Sequence, residues 1–397
     1  MSRDWSSDFD HADPEYNEKA HEIWDDLRGK CPVAHSPAYG GTWLPVNHED
    51  VKAIAYDTEH FSSVGVVVSK VAPDLSQAPL GGAPPITSDP PVHSIARRIL
   101  LPAFSPKSID PWETEVRSLC NSLLDDIQAS LPESRICDAA VQYAQNIPVY
   151  VIALMLGMPI ADADRFRVFV HDVLEAVNDD PEVRQEKFQV LGQYIQGHLE
   201  AHRLEPKDDL IGYLISATLP DGTPLSDEHI VGSIILLLVA GIDTTWSAIG
   251  SSLHHLATHP DDLERLSTDP DVLPFAIEEL LRAYAPVTMA RVVSSDVKIG
   301  DITMKQGDWT LLPFPAANRD PLMFPDPSVV DFDRTENRHA AFGLGIHRCL
   351  GSNLARLELR VAVQEFVARF PKFTLNGPVT WSLGQVRGPR RLPIEIL

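Results

Sequence analysis

The segment from Asp227 to His259 constrains this chain more than any other. It contains no proline, opens behind a possible cap, Ser226-x-x-His229, and is stopped by Pro260. Read as one helix at ~1.5 Å per residue, it reaches about 50 Å and crosses a whole domain. Its strongly apolar run, Ile230 to Ile242, is shorter than the ~20 residues that span a bilayer. The segment therefore reads as a buried core helix, with the rest of the chain arranged around it.

Apolar residues at three- and four-residue spacing predict further helices over Pro111–Ala129, Ala140–Leu156, Ala163–Val177, Glu182–His202 and Leu350–Phe370. Short β-type runs at Thr42–Val46 and Val64–Ser69 read as strands, and the tail from Thr374 to Leu397 reads as strands and turns. Leu75 to Asp89, rich in Pro and Gly, reads as a loop suited to covering a site. The expectation is one mainly α unit with minor β, spanning 1–397, with no second domain fused to it.

Charge narrows the function classes. A formal net charge of −23 argues against nucleic acid and against anionic membranes as partners. Cys31, Cys120, Cys137 and Cys349 are scattered without a C-x-x-C pair, which disfavours structural zinc and fits a reducing cytoplasm. Met1 to His11 is polar, unlike a signal peptide or an anchor, so a soluble cytoplasmic protein is expected.

Four motifs carry chemistry. In Phe342-Gly343-Leu344-Gly345-Ile346-His347-Arg348-Cys349-Leu350-Gly351, two glycines permit a tight bend against a flat ligand. Cys349 opens a helix, where the N–H groups of Leu350, Gly351 and Ser352 can favour its thiolate. Glu279 and Arg282 stand three apart and can pair on one helix, which alone describes many exposed salt bridges. Ala240-Gly241-Ile242-Asp243-Thr244-Thr245 interrupts the long helix. Thr244 can bond back to the Ala240 carbonyl, and Asp243 needs a partner in so apolar a setting. His93 and Arg97, one turn apart after Asp89-Pro90-Pro91, can clamp a carboxylate.

The Cys loop matches F-x-x-G-x-H-x-C-x-G, and with the other motifs in this order the chain resembles the bacterial soluble cytochrome P450 family from roughly Trp24 onward. Ala317-Asn318-Arg319-Asp320-Pro321 fits as well. The resemblance implies a triangular helical domain with a long central helix and small β-sheets. It implies haem b (iron protoporphyrin IX), with Cys349 as the iron ligand and Ala240, Gly241, Phe342, Gly343 and Gly351 lining the haem. His93, Arg97, Arg291 and His347 would hold its propionates. Thr244 and Asp243 would be the catalytic acid–alcohol pair that handles O2 and its protons. Arg334 is the candidate third partner of Glu279 and Arg282 in a network that locks the Cys loop.

The implied activity is monooxygenation, of hydroxylation or O-dealkylation type. The alternatives are a peroxide-driven peroxygenase or a non-catalytic haem protein; a thiol enzyme using Cys349 leaves the other motifs unexplained. Electrons would come from a ferredoxin-type partner and its reductase, docking on a basic cluster of Arg98, Lys107, Arg348, Arg356 and Arg360. Substrate positions by resemblance are Val64–Val68, Val239, Ala240, Val287 and Met289, uncharged throughout, which suggests a small, mainly apolar organic substrate.

Overall fold

The computed structural model describes residues 3–72, 74–131 and 135–397; of the polar stretch read at the N-terminus, Met1 and Ser2 lie outside the described residues. The central helix runs Asp227–Thr258, and the Ser226 hydroxyl accepts from the His229 N–H at 3.2 Å. A new helix, Pro260–Thr268, starts at the proline that stops it. Helices Asn146–Leu156, Ala163–Leu174, Pro181–Leu204 and Ser352–Arg369 pack around it. By length and composition the whole helix is long and apolar enough to cross a membrane, unlike the shorter run read from the sequence, yet most of that stretch is buried in the fold. Each fully buried Leu or Ile there contributes about 1.5–3 kcal/mol, so position in the core, more than helix propensity, fixes this element.

Sheets are small and sit beside the helices. The largest has five strands in the order Val33–Ser36, Thr42–Pro45, Trp309–Pro313, Thr288–Val293 and Phe61–Ser62. Thr42–Pro45 pairs with Trp309–Pro313 in parallel, and the other neighbours are antiparallel. In the tail, Pro393–Ile396 lies between Ile136–Asp138 and Phe373–Leu375.

The strand expected at Val64–Ser69 is not formed; the strand here is Phe61–Ser62, and beyond it the sheet keeps a backbone bond from Ala290 N to Val66 O at 3.2 Å. Gly65 explains the break in pairing. A Cβ there would lie 2.5 Å from the Trp309 ring, so the backbone passes directly over the indole. The Gln385 side chain takes over the pairing, accepting from Val68 N at 2.5 Å and donating to Val66 O at 3.0 Å. Several helix bounds also differ: the helix expected from Pro111 begins at Glu113, and the one expected from Ala140 opens as a π-helix, Ala140–Ala144, before the α-helix Asn146–Leu156. The helix expected to reach Val177 ends at Leu174, and the helix after Cys349 begins at Ser352, with Gly351 as its cap residue.

Inside that last helix, Glu358 is buried among apolar side chains near Cys120, and its Oε2 has no hydrogen-bond partner. Burial raises its carboxyl from 4.5 to about 8. In the unfolded chain the group ionises above about 4.5, whereas in the fold it stays neutral until about 8. Stability is therefore lost as pH rises through that window and is level beyond it, at about 1.4 kcal/mol per pH unit. Glu358→Gln removes the effect. Its urea midpoint should exceed wild type by a margin that grows between pH 5 and 8 and then stays constant; an equal margin at both pH values would contradict the assignment.

Candidate active site

The Cys loop is shaped by its glycines and closed by its own backbone. Gly343 and Gly345 adopt φ of 71° and 70°, and a Cβ on Gly345 would strike the Ala55 carbonyl. Gly343 N donates to Ala340 O at 2.8 Å, and Cys349 N donates to Phe342 O at 2.7 Å. Cys349 lies deep in the fold, yet its surface is accessible, so it borders an internal space. Burial raises its thiol pKa, opposed by the Gly351 N–H and by Arg97, Arg348 and Arg356. Of the three amides expected to favour a thiolate, that of Gly351 bonds the sulfur, because the helix begins only at Ser352. A bound metal cation would reverse that balance.

Behind the loop, Glu279 and Arg282 form a buried pair, with 1% and 0% of their side chains exposed. The contacts measure 2.7 and 2.8 Å, and Arg334 Nε stands 3.1 Å from both Glu279 oxygens. Asp331 N and Asn337 Nδ2 also donate to Glu279. Arg282 donates to the carbonyls of Asn318, Pro327 and Val329. The Asn318 side chain then accepts from Ala340 N at 2.7 Å, the residue from which the Cys loop turns.

On one flank of the space stand four basic groups. The His93 and His347 rings meet edge to face at 4.3 Å. His93 is buried and neither ring nitrogen has a partner. Arg97 Nη2 donates to Arg348 O at 2.6 Å, and Arg291 donates to its neighbour's carbonyl, Ala290 O, at 2.7 Å. Burial lowers all four pKa values, Arg291 to about 10, and for His93 and His347 the neighbouring cations lower them further. The nearby carboxylate, Asp89, is held by Ser62 Oγ at 2.5 Å and Ser63 N at 2.8 Å.

The central helix carries a further part-accessible face. Leu236, Ala240, Gly241 and Thr244 are part-accessible in an otherwise buried stretch, and their spacing places them on one face. Val239, read as a substrate contact, belongs to the main buried cluster, and Leu236 and Ala240 are the part-accessible residues of that turn. Val287, Met289 and Phe342 are half-buried. Thr244 Oγ1 donates back to Ala240 O at 2.7 Å. Asp243 is fully buried, and its partner is a residue that the sequence did not single out. Arg390 Nη2 donates to Asp243 Oδ1 at 2.6 Å, while its Nε bonds Glu175 at 2.8 Å. Asp243 Oδ2 has no partner. Burial raises the Asp243 carboxyl to about 6, with Arg390 lowering it and Glu175 raising it. The only prior signal for Arg390 was Asp243's need for a counter-charge.

These features fit the implied haem. The chain offers an accessible thiol and a helix face without bulky polar groups, and the basic group of four, with His93 unpartnered at both ring nitrogens, suits a flat dianion. The basic cluster read on the Cys-loop side needs correction. Arg356 pairs with Glu278 at 2.6 and 2.8 Å and stacks on Phe342, and Arg360 pairs with Glu113 at 2.7 Å. Arg98, Lys107 and Arg348 remain exposed.

Residues 46–378 match the family model described as cytochrome P450. The chain is 33% identical to the mycinamicin IV hydroxylase/epoxidase of Micromonospora griseorubida, covering 93% of this chain and 94% of that protein. It is 33% identical to the vitamin D(3) 25-hydroxylase of Pseudonocardia autotrophica, covering 95% and 93%. Among solved structures, the Bacillus subtilis bacillaene polyketide synthase cytochrome P450 PksS superposes with a TM-score of 0.87 at 28% identity, covering 98% and 99%. CYP109E1 from Bacillus megaterium in complex with testosterone gives 0.85 at 30% identity, covering 96% and 99%.

Deleting one member of the buried network leaves the others as uncompensated charges, at a cost of about 3–5 kcal/mol. Glu279→Ala should therefore lower the urea midpoint by that order and release the Cys loop, read as loss of haem retained after gel filtration. A stable variant with full haem content would show that the loop does not depend on this carboxylate.

Proposed function

The chain belongs to the cytochrome P450 family, and on that premise we propose that it inserts one oxygen atom of O2 into a small, mainly apolar organic substrate. Electrons come from a separate ferredoxin-type partner. The observation that carries this reading is the part-accessible Thr244 beside the buried Asp243 in the middle of the central helix, in a chain that also presents an accessible Cys349 thiol.

Cys349 would ligate the iron of haem b, and His93, Arg97, Arg291 and His347 would hold the propionates. Bound haem supplies an iron whose thiolate ligand pushes electron density toward O–O cleavage. The chain's own residues then govern protons and water. Thr244 Oγ1 donates to Ala240 O and so keeps lone pairs that can accept from a water; rotating off that carbonyl frees its proton. The Asp243 carboxyl, at about 6, can hold and release a proton near neutral pH through its unpartnered Oδ2. Arg390 and Glu175 are partly exposed and extend from Asp243 toward solvent. An apolar substrate is supported by Leu236, Ala240, Val287 and Met289, and by relatives named for vitamin D(3) or holding testosterone. Arg98, Lys107 and Arg348 support docking of an acidic partner beside the Cys loop, with affinity that falls as salt rises.

The ligand assignment is tested with Cys349→Ser. The reduced, carbon-monoxide-bound spectrum should lose its thiolate Soret position, and product formation should fall to background; an unshifted spectrum would remove Cys349 from the iron.

The proton reading is tested by coupling. Thr244→Ala should keep nicotinamide consumption within about tenfold, a barrier change near 1.4 kcal/mol, while product per electron pair drops and peroxide rises. Asp243→Asn should slow turnover, enlarge the solvent isotope effect and remove any inflection near pH 6 from the rate profile. Wild-type coupling in Thr244→Ala would reduce the threonine to a residue that bonds its own helix turn.

A further inference from the structure

One buried side chain of the tail joins three segments that are distant in sequence. Gln385 is 3% exposed. Its Oε1 accepts from Val68 N at 2.5 Å, and its Nε2 donates to Val66 O at 3.0 Å and to Thr288 O at 2.9 Å. The amide oxygen and both amide hydrogens are thus spent on backbone groups, and only this orientation of the amide answers one donor and two acceptors. The main chain repeats the link to the strand Thr288–Val293. Thr288 N donates to Gln385 O at 2.8 Å, Arg387 N donates to Pro286 O at 2.7 Å, and Val287 bridges to Val386.

The loop held in this way has little structure of its own: Val64–Ser69 forms neither helix nor strand. It leaves the flank of the Cys loop at Ser63, whose hydroxyl lies 2.9 Å from His347 Nε2. Gly65 then crosses the Trp309 ring, so closely that a Cβ would lie 2.5 Å from the indole. That contact fixes one end of the loop, and Gln385 fixes the other at Val66 and Val68. The Val66 carbonyl also accepts from Ala290 N at 3.2 Å. Val66, Val67, Val287 and Met289, on or beside the bonded groups, are half-buried and uncharged.

We propose that Gln385 is a positioning residue for ligand selection. By tying the loop Val64–Ser69 to the strand Thr288–Val293, it sets the shape of the apolar wall that distinguishes one uncharged substrate from another. The proposal rests on the haem monooxygenase reading, under which these residues face substrate. Its basis is physical. A run of β-branched residues without a full ladder of backbone bonds has a weakly specified register, and here one carboxamide supplies it. Because every polar atom of that carboxamide points at backbone, the wall gains a fixed shape without gaining a polar group. An apolar side chain at this position would leave the buried Val68 N–H without its acceptor, and the loop would have to move to find another.

Titration of the haem-loaded protein with 1-methylimidazole and 1-hexylimidazole tests it. The two share an iron-ligating head and differ in the apolar tail that senses the wall. The ratio of their affinities, read from the Soret shift, cancels effects on the head. In Gln385→Met the ratio should fall by about tenfold, the order set by one buried donor left without its acceptor, while 1-methylimidazole binds as in wild type. Amide exchange at Val66 to Val68 should quicken. Gln385→Glu separates positioning from stability. Its neutral carboxyl can accept from Val68 N and donate to one carbonyl, whereas its carboxylate faces two carbonyls with no donor. The ratio should therefore stay near wild type at low pH and fall as pH rises, while the wild-type ratio stays level. The titratable neighbours, His11 at the Val68 backbone and Arg387 in the tail, are present in both proteins. Should Gln385→Met fail to fold, the pH profile of Gln385→Glu decides alone. Normal iron ligation with an unchanged ratio in the variants overturns the proposal by itself. A wild-type protein that gives no Soret shift with 1-methylimidazole refutes the haem reading, and the proposal with it.

Discussion

The buried carboxylate of Glu279 is the interaction on which the site's architecture depends. It receives Arg282, Arg334, Asn337 and the Asp331 amide, and so offsets two guanidinium charges that the interior would otherwise exclude. Arg282 passes the constraint on through Asn318 to Ala340, where the Cys loop begins. The loop's own contacts are few: two left-handed glycines and one backbone bond across its neck. A loop of this kind holds its shape because the charged cluster behind it has one low-energy arrangement.

The two sides of the site use charge differently. On the Cys-loop side, acidic and basic groups are matched, as in Glu278 with Arg356 and Glu113 with Arg360. At the flank of the space, His93, Arg97, Arg291 and His347 crowd together and lower one another's proton affinity in several pairings. A chain with net charge −23 thus confines an excess of positive potential to one internal corner. Asp89 is the carboxylate that opposes it within the fold, and a corner of this kind would suit a bound carboxylate.

Much of this was legible in the sequence, for reasons that can be stated. The central helix was bounded by Ser226 and Pro260 because caps and prolines act locally. The Glu279–Arg282 pair and the loop glycines were visible because their spacing is short. Arg390 was not, since it meets Asp243 across 147 residues and no local pattern marks it. Val64–Ser69 looks like a strand because β-branched residues dominate it; the Trp309 indole, from the middle strand of the sheet and more than two hundred residues away in the chain, decides otherwise. Arg356 read as a docking cation until Glu278 on another helix was seen to neutralise it. In each case the missing information was a long-range contact, and propensity carries none.

The five-stranded sheet has a consequence for how the chain reaches this state. It joins Thr42 to Trp309 and Phe61 to Val293, so its strands must find each other across most of the sequence. Closing such loops costs entropy before any pairing is gained, which places the sheet late in folding, after the helices have collected around their long axis. Arg291 rides on that sheet. The positive corner is therefore incomplete in a helical intermediate, and a chain halted there would have the central helix formed but little selectivity for its anionic ligand.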